Sequence, residues 1–242
     1  MKDIEEFYNK TKFKGLPRHR GGRAKTPIEF LHVFHKEYMR FPSVKLTNGL
    51  GNGEYVRLLK ERKSVRSYSN KPVSIKVLAR ILSSCKIIAT GPYPSERRTY
   101  PSAGARYPIE LYLVAYRIKG IEPGLYHLNT RRFSLELLLK ADLREYEQSL
   151  VSPFIKNVAG AIIFTAVISR AEVKYGPKAY PYSLLEAGHM AQNILLSCTK
   201  YNVGACAVGG FVNDDVTRLL DLTEDELPIY VVCFGSPKSG KR

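Results

Sequence analysis

An α+β fold is predicted for this chain of 242 residues by three features of its sequence. Strand-like and helix-like segments are mixed along it, a long apolar helix lies in its second half, and neither an internal repeat nor a low-complexity tract interrupts them. With 44% apolar and 11% aromatic residues the chain can bury a full core, and its length fits one domain preceded by an extension. The extension is assigned to residues 1–53 and the domain to residues 54–242.

The first 25 residues carry eight Lys or Arg against three acidic residues and end in the run Pro17-Arg-His-Arg-Gly-Gly-Arg23, so they read as a loosely ordered basic arm. Thr26 is a good N-cap and Pro27 suits a first helical turn, which predicts a short helix over 27–39 with Phe30, Leu31 and Phe34 on its apolar face. After the Asn- and Gly-rich loop 48–53, another short helix is expected at 54–60. Ser74 caps an amphipathic helix in which Ile75, Leu78, Ala79, Leu82 and Cys85 recur at helical spacing. A loop rich in Pro, Ser and Arg occupies 91–104. Residues 109–118 read as a strand, and 125–128 with 133–139 as a hairpin-like pair. The near-continuous apolar run 160–168 predicts a strand covered on both faces, since a strand with one wet face would alternate. A long helix over 182–201, a short strand at 205–208, a helix at 214–220 and a last strand at 229–234 complete the domain.

Lys and Arg number 38 against 22 Asp and Glu, a formal charge of +16. That charge attracts phosphates, nucleic acid, membrane surfaces and acidic peptides alike and does not choose among them. The four cysteines, Cys85, Cys198, Cys206 and Cys233, lie far apart among apolar neighbours and without histidines at zinc-ligand spacing. They read as small buried hydrophobes in a reducing compartment, and no metal site is expected. No apolar stretch is long enough to span a bilayer, and the first 25 residues lack the apolar core of a signal peptide, so a cytoplasmic location is expected.

Five short constellations stand out. Arg62-Lys63-Ser64-Val65-Arg66 packs cations and a hydroxyl closely enough to converge on one phosphate, although a bare charge run is more often a solvated surface. In Arg98-Thr-Tyr-Pro-Ser-Ala-Gly-Ala-Arg-Tyr-Pro108 the small residues Ser102, Ala103 and Gly104 would let a flat ligand approach the backbone, while prolines restrict the loop. On the long helix, Leu184, Leu185, Ala187, Gly188, Ala191, Ile194, Leu195 and Cys198 form a broad apolar surface for a core or a subunit interface. Glu186, His189, Gln192 and Asn193 interrupt it, and His189 reads as a satisfied core histidine. Gly204-Ala-Cys-Ala-Val-Gly-Gly-Phe211 is a strand ending in paired glycines that would expose backbone amides to a ring edge. Cys233-Phe-Gly-Ser-Pro-Lys238 delivers a lysine beside a sharp turn.

Taken in order, the phrases RKSVRSY, PSAGARYPIELY, LLEAGHMAQN, GACAVGGF and FGSPK resemble the nitroreductase superfamily in its SagB-type branch, which includes azoline oxidases, over nearly all of residues 61–238. The resemblance implies a nitroreductase-like α+β fold with a central mixed or antiparallel sheet flanked by helices. It also implies a homodimer that holds FMN at the subunit interface. Carried over by position, Arg62, Ser64 and Arg66 match the grip on the FMN phosphate and ribityl chain, Lys63 assists, and Lys238 completes it. Ser102, Ala103 and Gly104 match the loop that lies against the flavin from the partner subunit. Val208, Gly209 and Gly210 match the segment whose backbone meets the ring near N5. Donors there stabilise the charge that reduction puts on the ring. Lys174 and Tyr175 look like the pair with which azoline oxidases remove a proton, a role that asks for a lysine desolvated or set beside a cation such as Lys178. Arg106 departs from the pattern, standing where an apolar residue is expected before Tyr-Pro, and points to an altered substrate charge preference.

The leading expectation is therefore an FMN-dependent dehydrogenase oxidising a peptide azoline or similar substrate, with biosynthetic enzyme partners. A second reading runs the flavin in reverse, with NAD(P)H as co-substrate and a nitroaromatic or quinone as acceptor. A third is a basic module for nucleic acid or membrane on a retained fold.

Overall fold

Residues 160–168 justify the expectation of a doubly covered strand: Gly160–Val167 is buried at every position but the last. In the computed structural model, which describes residues 2–15, 35–46, 49–91, 96–151 and 153–238, this strand sits in the middle of the main sheet. The helices are α1 (Lys2–Thr11), α2 (Glu54–Glu61), α3 (Ile75–Leu82), α4 (Glu147–Leu150), α5 (Ser169–Tyr175), α6 (Ala179–Lys200) and α7 (Asn213–Leu220). The strands are β1 (Val73–Ser74), β2 (Ile87–Ala89), β3 (Arg97–Arg98), β4 (Ile109–Ala115), β5 (Ile118–Lys119), β6 (Gly124–Asn129), β7 (Ser134–Lys140), β8 (Gly160–Val167), β9 (Gly204–Val208) and β10 (Glu226–Gly235). Six of them form one sheet in the order β7-β6-β4-β8-β10-β9, antiparallel throughout. The only parallel ladder between described strands is the two-residue pairing of β1 with β5.

Alternation along the strands divides the core in two. Ile162 and Phe164 of β8, with Ile109, Leu111 and Leu113 of β4, face α3 and α6. Ala161 and Ile163, with Val231 and Cys233 of β10, face α7 and α4. Ser74 caps α3 as expected, its hydroxyl accepting the Val77 N–H at 3.2 Å. All four cysteines are buried and free.

Three expectations are corrected. The first residues of the basic arm are not loose: Lys2–Thr11 is a helix that buries Ile4 and Tyr8 against the domain. His189 is exposed rather than a core histidine, and Gly188 packs against nothing within 4 Å. Their face of α6 also exposes Leu184 and Leu185 at 40% and 60%, and α5 exposes Val173 at 77%. The helix expected over 27–39 lies mostly outside the described residues, and its described part, 35–39, is not helical.

Asn213 is the clasp that docks α1. It is 6% exposed, its side chain donates to Tyr8 Oη at 2.9 Å and the Pro228 carbonyl at 3.3 Å, and it accepts the Phe13 N–H at 3.1 Å. Lys12 adds an ion pair to Asp214 at 2.7 Å. Replacing Asn213 with Ala should cost about 2 kcal/mol, because buried partners lose their bonds. Amide hydrogen exchange in residues 2–13 should rise; unchanged protection would mean that burial of Ile4 and Tyr8 alone holds the helix.

Candidate functional site

The segment after α2 runs extended beside the edge strand β9. Ser64 pairs with Ala205 in a parallel bridge, and Val65 N–H donates to the Ala205 carbonyl at 2.9 Å. In an extended chain alternate residues face opposite ways. Arg62, Ser64 and Arg66 therefore share one face, while Lys63 and Val65 look to the other. On that second side a pocket of about 520 Å³ is lined by Lys63, Val65, Lys238 and, from the C-terminal half of α6, Leu195 and Thr199. The single cationic grip expected from the sequence is thus divided. Lys63 and Lys238 come together in the pocket, and Arg62, Ser64 and Arg66 do not line it. Arg62, Lys63, Arg66 and Lys238 form no ion pair with a described residue.

The other end of α6 carries a second locus. Ala103–Ala105 is a single 3-10 turn with Gly104 in left-handed conformation, φ 56°. A Cβ on Gly104 would overlap Tyr175 Oη and lie 2.9 Å from Lys174 Nζ. Both side chains come from the last turn of α5, whose chain reverses at Gly176, φ 52°. Lys174 Nζ stands 5.5 Å from the centre of the Tyr175 ring, and that ring meets Tyr182 edge-on at 5.0 Å. The structure thus brings Lys174, Tyr175 and Gly104 into one place. Helix α5 itself was not expected from the sequence; it is seven residues long with only Ala171 buried, too short to print a periodic signature.

Val208 is buried at the end of β9, and Gly209 and Gly210 follow it into open space on their Cβ side, except that Phe13 lies 4.0 Å from a Cβ on Gly210. The residue Phe13, just beyond the docked N-terminal helix, therefore flanks this segment, a neighbour that no sequence motif announced. Among the described residues no group of His, Cys, Asp or Glu side chains could hold a metal ion. No described helix is long and apolar enough to cross a membrane.

Beneath the Ser102 loop lies Glu186 of α6, 2% exposed. Burial pushes its carboxyl up to about 7, with hydrogen bonds from Ser102 and the backbone of Ile109 and the charge of Arg98 acting against the rise. Its Oε1 has no hydrogen-bond partner. A carboxyl raised from 4.5 to about 7 in the fold binds its proton more tightly than in the unfolded chain. The folded state consequently loses stability as pH climbs from about 4.5 to about 7 and levels off above. Glu186→Gln should remove that decline, gaining on the parent by on the order of 3 kcal/mol between pH 4.5 and 8. Denaturant titrations at both pH values measure it; a gap that does not change with pH would show that Glu186 titrates as an ordinary carboxylate.

The Nitroreductase family matches residues 59–236. MJ1384 of Methanocaldococcus jannaschii, which carries a nitroreductase name, is 31% identical over 180 residues, covering 72% of this chain and 88% of the relative. McbC of Escherichia coli, the microcin B17-processing protein, is 22% identical over 250 residues, 98% of this chain and 91% of McbC. The E. coli microcin synthetase McbBCD complex, solved with truncated pro-MccB17 bound, contains a chain that superposes with a TM-score of 0.80 at 21% identity, covering 99% of this chain and 95% of that one. That last likeness speaks for the fold alone. The chain belongs to the nitroreductase family, in its SagB-type branch, and is a nitroreductase-fold oxidoreductase related to McbC.

Proposed function

We propose that the chain is an FMN-dependent dehydrogenase that converts a peptide-borne azoline into the aromatic azole, acting as a homodimer alongside other biosynthetic enzymes. The observation that carries this reading is the convergence of Lys174 Nζ and Tyr175 Oη over the one residue, Gly104, that leaves them room. FMN, when bound, supplies the two-electron acceptor for the substrate's hydride. Arg62, Ser64 and Arg66, aligned on one face and free of ion pairs with described residues, are the donor set a phosphate dianion requires. Lys63 and Lys238 reinforce the positive field from behind. The amides of the Val208, Gly209 and Gly210 segment, unobstructed on the Cβ side at Gly209, offer donors to a ring edge. Lys174, as the neutral amine, takes the substrate's ring proton, and Tyr175 orients that amine by standing under it. Lys174 is exposed in a single chain, so the desolvation a base needs has to come from whatever covers it.

A homodimer answers that need. Glu186, under the Ser102 loop, and Leu195 and Thr199, beside Lys63, are nine and thirteen positions apart on α6. That is roughly 14 to 20 Å along the axis. In one chain the loop and the cationic segment are therefore remote from each other, and a partner's loop can close what a single chain leaves open. Leu184 and Leu185, adjacent and exposed on α6, are apolar side chains of the kind a subunit contact covers. Enzyme partners are proposed because a similar chain sits in the McbBCD complex.

A second reading, reduction of nitroaromatics by NAD(P)H, is favoured by the likeness to MJ1384. Turnover of NADPH with nitrofurazone tests it, since a dedicated azoline dehydrogenase should reduce poorly with nicotinamides. For the leading reading, Arg62→Ala with Arg66→Ala should yield colourless protein; stoichiometric flavin released from that double variant would remove both arginines from the grip. Lys174→Ala should keep the yellow colour and lose at least about 100-fold in turnover of a thiazoline peptide, the usual worth of a positioned base. Parent-like turnover would take Lys174 out of the chemistry.

A further inference from the structure

We propose that Arg106 is a positioning residue for the Lys174 and Tyr175 pair, acting through a hydrogen bond between loop and helix rather than by selecting substrate charge. The inference rests on the function proposed above and deepens it. Arg106 is the one departure from the family pattern that the sequence offered, and its partner explains why it is there.

The loop beneath the pair is strained. Gly104, Ala105 and Tyr107 have φ of 56°, 52° and 47°, so three of four successive residues are left-handed and two of those are not glycine. Such a run persists only where the surroundings hold it. Within the loop, Ser102 Oγ accepts the Tyr107 N–H at 2.9 Å. Tyr107 Oη donates to the Glu96 carbonyl at 3.0 Å. Two further bonds cross to α5 and are reciprocal. Arg106 Nε donates to the Arg170 carbonyl at 2.9 Å, and Arg170 Nη1 donates to the Tyr107 carbonyl at 3.4 Å.

The Arg170 carbonyl is the one that, in an α-helix, receives the N–H of Lys174 one turn later. Arg106 thus grips the turn on which Lys174 stands. Arg170 is fixed in its turn by Glu110 of β4 at 2.5 Å, and Glu110 by His127 of β6 at 3.1 Å, so the cross-link is tied to the sheet. At the N-terminus of α5, the Ser169 N–H and hydroxyl both reach the carboxylate of Asp225, at 2.8 and 2.5 Å. With that end anchored and only Ala171 buried, the arginine bonds join the Tyr175–Tyr182 ring contact in keeping the last turn of α5 over Gly104.

Two variants of the full-length, flavin-bearing protein separate hydrogen bonding from charge. Arg106→Gln keeps an N–H donor and drops the charge; Arg106→Met drops both. Amide exchange should rise about tenfold in both 104–107 and 169–175 for the Met variant, the size expected for one lost net hydrogen bond, and stay near the parent for Gln. On thiazoline peptides flanked by Asp or by Ala, Met should lower kcat alike for both with KM unchanged, and Gln should restore it. Parent-like exchange at 169–175 in the Met variant overturns the proposal. So does a Gln variant that behaves like Met, or a loss confined to KM for the Asp-flanked peptide, which would make Arg106 a charge selector. If the parent turns over neither peptide, the azoline reading fails while the exchange data still decide the role of Arg106.

Discussion

A side chain at position 104 would displace the tips of Tyr175 and Lys174 and would sit on a left-handed backbone, and much of the proposed site is arranged around that fact. A Cβ there would collide with Tyr175 and crowd Lys174, and the backbone is in the left-handed region that glycine enters without cost. The surrounding structure supports the loop from three sides. Glu186 and Ser102 sit below it, Lys174 and Tyr175 close over it, and Arg106 with Arg170 ties its flank to α5. Strain of this kind is kept where neighbouring elements over-determine the backbone, and it is common where a ligand must meet main chain closely.

Electrostatics divide along the chain rather than pooling. The formal charge of +16 gave no reason to prefer one anion over another, whereas the extended segment 62–66 does. Alternation sets Arg62, Ser64 and Arg66 on one face and sends Lys63 to a pocket shared with Lys238. A phosphate bound on the first face meets two guanidinium forks and a hydroxyl and receives only longer-range help from the two lysines. Family membership and this arrangement together make the proposed flavin reading chemically economical.

The fold was legible where local signals and tertiary demands agree. The unbroken apolar run of β8 announced a strand with two covered faces, and Ser74 announced the start of α3 through its cap. What escaped was decided by distant contacts. Helix α1 looks like a solvated basic arm because only Ile4 and Tyr8 are buried in it, and the partners of Tyr8, Asn213 and Pro228, lie 205 and 220 positions away. Helix α5 is too short and too charged to register as a period. His189 was misread because an apolar helix face does not say whether its own chain covers it. In the proposed site, motif resemblance pointed to Lys174, Tyr175 and Gly104, which the fold brings together, but neither Arg170 nor the strained Ala105 and Tyr107 carry a local signature. Arg106 was noticed only as an oddity, and its hydrogen bond to α5 supplies a structural role that a charge preference did not.

The central claim is that the flavin phosphate rests on the Arg62, Ser64 and Arg66 face with its ring against a partner's Gly104 loop. Crystallography of the flavin-loaded protein tests it most directly. Density for the phosphate on those three side chains, and for the ring between the Gly209 segment of one subunit and the Gly104 loop of the other, is the predicted result. A phosphate lodged instead in the pocket between Lys63 and Lys238, or a ring enclosed by a single chain, would contradict it.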